Sequence, residues 1–111
     1  MKFIIDRSSL LKSLGHVQSV VERRNTIPIL SNVRLDAGED SRLHLTATDM
    51  DLAVIEVVSA TVDRPGATTV SAHMLYDIVR KLSEGSEVEL SLIEDGGKIQ
   101  IKSGRSRFKL S

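Results

Sequence analysis

Apolar residues near the start of the chain fall at helical spacing: Leu10, Leu14, Val17 and Val21, with Leu11 beside them, while Ser9, Lys12, Ser13 and His16 turn elsewhere. Residues three and four apart share one helical face, so this spacing predicts an amphipathic helix over Ser8 to Val21. A second stripe, Met74, Leu75, Ile78, Val79 and Leu82, follows Ser71, a suitable N-cap, and stops at Gly85. Elsewhere the period falls to two, as in Val33 and Leu35; Leu43 and Leu45; Val88, Leu90 and Leu92; Ile99 and Ile101. These are half-buried strands. Asp36-Ala37-Gly38, Arg64-Pro65-Gly66 and Asp95-Gly96-Gly97 supply the turn chemistry between them.

The two patterns overlay. Laying Ile5 on Val70 puts Asp6 on Ser71, Leu10 on Leu75, Leu14 on Val79 and Val17 on Leu82; laying Leu43 on Ile99 puts Leu45 on Ile101, Leu52 on Phe108 and Val54 on Leu110. The simplest organisation is a strand-helix-three-strand unit written twice, Met1 to Val58 and Ala67 to Ser111, within one domain spanning 1–111. Eight strands and two helices follow. Chance periodicity in an alternating β chain is the competing account of the overlay.

Each helix has one apolar stripe and each strand one apolar face, so both helices must pack on one face of an antiparallel sheet in an α+β domain. Their other faces then point outward together. This predicts a two-helix surface carrying Lys12, His16, His73, Arg80 and Lys81, opposite a more acidic sheet surface carrying Arg34, Glu56, Glu87 and Glu89.

At 111 residues and 41% hydrophobic content, the chain has the size of one domain and can bury roughly two thirds of its unfolded surface. Phe3, Tyr76 and Phe108 are its only aromatics, which disfavours base stacking on single strands. The absence of cysteine excludes disulfides, thiolate metal sites and thiol nucleophiles, and fits a reducing cytoplasm. The opening Met1-Lys2-Phe3-Ile4-Ile5 is too short for a signal core and no apolar run approaches a membrane span, so a soluble cytoplasmic protein without membrane partners is expected. Fifteen basic and fifteen acidic residues cancel. Any DNA contact must therefore rest on how charge is distributed.

Several groups could carry chemistry. Arg23-Arg24, read as a loop leading to Pro28, could grip phosphates or be ordinary solvated charge; Lys12, His16, Arg80 and Lys81 leave the same two readings open. No zinc-finger spacing, basic zipper or aromatic RNA-binding signature appears, so DNA contact would be sequence-independent. Asp49 and Asp51 could share a divalent ion, but no third ligand is evident and no metal is assigned. Ser71, His73 and Asp77 hold the letters of a hydrolase triad without a nucleophile elbow, and Ser71 fits a cap; no catalytic residue and no cofactor is assigned. Arg105, Arg107 and Lys109 alternate with Ser106, Phe108 and Leu110 in the last strand, which reads either as an edge inviting another chain or as an edge protected by its charge.

Together, Met1-Lys2-Phe3; Arg24-Asn25-Thr26-Ile27-Pro28-Ile29-Leu30-Ser31-Asn32-Val33; Thr46-Ala47-Thr48-Asp49; Gly66-Ala67-Thr68-Thr69-Val70; Asp77-Ile78-Val79-Arg80; and Gly104-Arg105-Ser106-Arg107-Phe108 span the chain in a known order. In this combination the chain resembles the N-terminal domain of the bacterial sliding clamp, the DNA polymerase III beta subunit family. The resemblance implies the DNA-clamp fold and a ring of two three-domain chains around double-stranded DNA, acting as a processivity factor and not as an enzyme. It implies DNA contacts through Arg24, Lys12, His73 and Arg80. It also implies an edge-to-edge interface with the third domain of a second clamp chain, formed by Met74, Arg105, Arg107, Phe108 and Leu110. His73 stands where the family commonly has arginine, and Met74 where lysine is frequent. Polymerase and clamp loader are expected to bind mainly through domains outside this chain. The alternatives are a small interaction domain using the Arg105 to Leu110 edge without DNA, and a hydrolase or metal-dependent enzyme built on Asp49, Asp51 or the Ser71 group.

Overall fold

A computed structural model of the chain describes residues 1–24, 32–48, 53–93 and 97–110, without the side chains of 20–24 and 48. The described residues form two helices and nine strands in the order β1 (Lys2–Asp6), α1 (Arg7–Arg24), β2 (Asn32–Ala37), β3 (Arg42–Thr48), β4 (Ala53–Ser59), β5 (Thr61–Arg64), β6 (Gly66–Ser71), α2 (Ala72–Lys81), β7 (Glu87–Ile93), β8 (Lys98–Ser103) and β9 (Ser106–Leu110). The expected α+β, clamp-type architecture is present, with its antiparallel strands divided between two sheets, β5-β1-β7-β8-β9 and β4-β3-β2-β6. The ninth strand arises because the chain breaks at Ala60: β4 ends in one sheet and β5 begins in the other, beside β1.

The strand preceding each helix leaves its own hairpins. β1 pairs with β7, while β6 pairs with β2, so each sheet holds strands from both halves of the chain. Alternation then turns Val33, Leu35, Leu43 and Leu45 inward from one sheet and Phe3, Ile5, Val88, Leu90, Ile99 and Ile101 inward from the other, into one core with Leu10, Leu14, Val17, Leu75 and Val79 of the helices.

Both helices start on equivalent caps. Asp6 accepts from the Ser9 amide at 3.1 Å, and Ser71 accepts from the Met74 amide at 3.3 Å, each satisfying a backbone donor that the first turn leaves unpaired. Three expectations need correction. α1 runs through Arg23 and Arg24, which are its last residues and not part of a loop. Met74 does not join the apolar stripe: Ala72, Leu75 and Val79 define it, and Met74, roughly 100° around the helix, is 54% exposed. Asp36 and Ala37 belong to β2, and it is Ser41, at φ 59°, that takes the positive φ in the following turn, not Gly38.

Candidate functional site

The helices lie side by side and antiparallel. Arg7 at the start of α1 bonds the end of α2, and a Cβ placed on Gly15 would lie 3.6 Å from the Tyr76 ring. Lys12 and His16 lie one turn apart on the outward side of α1 and are exposed; His73, Asp77 and Arg80 follow one another at similar spacing on α2. Arg80 is exposed, with its guanidinium 5.9 Å from the centre of the Tyr76 ring and bonded at 3.3 Å to Asp77. It therefore sits at the seam between the helices. Lys81 is exposed, and His73 is half-buried at the second residue of α2. Arg24 ends α1, and its side chain lies outside those described.

His16 does not stand opposite Glu56, as the pattern suggested. Its Nδ1 donates to Glu56 Oε1 at 2.9 Å, because Val54, Glu56 and Val58 of β4 turn toward α1 while Ile55 and Val57 point outward, 61% and 51% exposed. The expected acidic sheet surface is also corrected. The outer face of the five-stranded sheet carries Lys2, Lys98, Lys102, Arg107 and Lys109 against Asp6, Glu87 and Glu89. Glu89 lies 3.6 Å from Lys2 and 4.0 Å from Lys102. The outer face of the other sheet is mixed, pairing Arg34 with Asp36 at 3.6 Å and His44 with Asp40 at 3.7 Å beside an open groove. Charge follows the alternation of each strand and is not sorted by layer.

β9 is bonded on one side only among the described strands, leaving an open edge next to β8. Register places Phe108 beside Ile101 and Leu110 beside Ile99 on the core face, while Arg107 and Lys109 stand beside Lys102 and Gln100 on the outer face. Arg105 is in the turn before the strand, where Gly104 takes φ 57°. Phe108 is half-buried and Leu110 buried, so the core already holds part of the apolar side of this edge. Met74 is exposed at the start of α2.

Asp49 and Asp51 lie outside the described residues. Among the described residues no group of three or more potential ligands could hold a metal ion, and no helix is long and apolar enough to cross a membrane. Ser71 is occupied as a cap and Asp77 by Arg80, so the Ser71, His73 and Asp77 side chains do not form a relay. Arg7 escaped the sequence reading. It is 8% exposed, and its partners are more than seventy residues away.

The geometry defines a structural module built around a two-helix face and open sheet edges. Residues 1–111 match the family described as DNA polymerase III beta subunit, N-terminal domain, and the chain belongs to that family. It is 56% identical over 110 residues to the beta sliding clamp of Caulobacter vibrioides, covering 99% of this chain and 29% of that protein. To the beta sliding clamp of Escherichia coli it is 42% identical over 112 residues, covering 100% and 30%. In structure it is similar to Caulobacter crescentus pol III beta, with a TM-score of 0.90 at 55% identity over 99% of this chain and 30% of that one. The DNA polymerase III subunit beta of Pseudomonas aeruginosa gives 0.88 at 41% identity, over 100% and 30%. The chain thus spans under a third of the length of these relatives.

Proposed function

We propose that residues 1–111 form the first domain of a longer sliding-clamp chain, two copies of which close a ring around duplex DNA and hold the polymerase at its template in the cytoplasm. The observation that carries this reading is the match of the whole chain to the N-terminal-domain family, in proteins named beta sliding clamp. The paired helices supply the inner wall, with Lys12, Arg24, His73 and Arg80 as sequence-independent phosphate contacts. The β9 edge, through Arg105, Arg107, Phe108 and Leu110, meets the third domain of the second chain together with Met74 of α2. Residues about 1–58 and 67–111 are two copies of one unit, supported by the matching caps at Asp6 and Ser71. Polymerase and clamp loader engage mainly the other domains.

Enclosure makes affinity secondary. A closed ring stays on DNA because it cannot diffuse away, so its inner cations can be few and water-separated, which permits sliding. The tether raises the effective concentration of polymerase at the primer end without any bond being made or broken by the clamp. Family membership does not favour the alternative of a free-standing interaction module that never meets DNA.

The test is topological. The full-length chain, loaded on nicked circular duplex, should remain bound at moderate salt and leave when the circle is linearised. Phe108→Asp should yield monomers by light scattering and no retained protein. Equal retention on circular and linear DNA would sink the ring reading.

A further inference from the structure

α2 ends without the usual device. Its C-cap, Leu82, is extended at φ −74° and ψ 162°, and the positive-φ glycine, Gly85, comes only three residues later. The last helical carbonyls therefore need partners from elsewhere. Leu82 N–H reaches Val79 O at 3.2 Å. Arg7 serves two of them: its Nε donates to the same Val79 O at 3.1 Å and its Nη2 to Arg80 O at 2.8 Å. The Arg7 amide also donates to Ser86 O at 3.0 Å, holding the loop that leaves α2. The negative end of the helix dipole suits this buried cation, and the rigid guanidinium fork meets two carbonyls at once, which an ammonium on a flexible stem does less well.

Beyond the pinned Arg80 carbonyl, the Arg80 side chain lies over Tyr76, and Tyr76 lies against Gly15 of α1. The route from Arg7 to Arg80 to Tyr76 to Gly15 begins and ends on α1. We propose that Arg7 is a positioning residue for the two-helix face: by closing the last turn of α2 against the start of α1, it sets Arg80 at the helix seam for phosphate contact. This rests on the reading of that face as the one turned toward DNA.

Tyr76 is the only tyrosine and there is no tryptophan, so the intrinsic fluorescence of this chain reports on Tyr76 alone. Arg7→Met should change the intensity of that emission and speed amide exchange in the last turn of α2 roughly ten-fold relative to the amides of β2 and β3. Arg7→Lys should restore part of both. In the full-length ring, Arg7→Met should weaken the salt-dependent affinity for duplex about as much as Arg80→Ala, and the double variant should be no weaker than Arg80→Ala alone. Exchange that rises uniformly across sheets and helices with Tyr76 emission unchanged would overturn the proposal, as would losses that multiply in the double variant. Should Arg7→Met fail to fold, Arg7→Lys decides by the same readouts. If Arg80→Ala leaves duplex affinity unchanged while Arg7→Met still moves Tyr76, the positioning of Arg80 for phosphate contact is overturned, and the fault lies in the reading of the face.

Discussion

Asp6 and Ser71 do the same work with different chemistry: a carboxylate and a hydroxyl each accept the amide three residues on. Asp6→Ala and Ser71→Ala should each lower unfolding free energy by about 1 kcal/mol. The two losses should add in the double variant to within about 0.5 kcal/mol, since the caps share no partner; chemical denaturation monitored by circular dichroism measures both. The Ser71 cap was legible in the sequence because a cap is local, a polar residue set just before an apolar stripe; Asp6 entered only as its counterpart in the overlay, with the first helix expected to begin at Ser8. Arg7 was not, because an arginine in the first turn of a helix ordinarily faces water, and its partners become neighbours only after the halves fold together. Ser41 was missed for a related reason: Gly38 nearby offered the conformational freedom, but the chain placed the left-handed residue three positions later.

Among the elements, the β8–β9 hairpin depends on one backbone position. Ser103 pairs with Ser106 across Gly104 and Arg105, and only Gly104 of those two central residues has positive φ, the pattern of a two-residue hairpin with glycine first. A Cβ there would meet nothing within 4 Å, so Gly104→Ala should cost about 1 kcal/mol, from backbone conformation alone. Faster exchange at the β9 amides than at the β7 amides would locate that loss in the hairpin. Period-two alternation disclosed β2, β3, β7, β8 and β9 and most of their core residues. It could not show how the strands share two sheets, nor the face of Glu56, because the alternation of β4 has no strong apolar contrast: Ile55 and Val57 are exposed while Val54 and Val58 are half-buried. The same weakness hid the His16–Glu56 bond and invited the expectation of an acidic sheet.

For the whole molecule, the charge balance of zero conceals how its charges are distributed over the surface. If the paired helices face DNA, titrating salt against the affinity of the full-length ring for duplex should give a log–log slope that flattens by about one for each phosphate contact removed. Lys12→Ala should show this. Arg80→Ala should show less, because Asp77 already draws on that guanidinium. An unchanged slope in both would remove these residues from the contact.

The exchange of β1 and β6 between the halves also bears on how the domain is held as one body. Neither half owns a complete sheet, since each depends on a strand lent by the other. Severed at Pro65, the chain should therefore give two fragments that are each unfolded alone yet recover native circular dichroism when mixed in equal amounts; a fragment that folds unaided would contradict this. Strand exchange is thus what holds the halves together, and joining strands with another chain would repeat a relation the domain already has with itself.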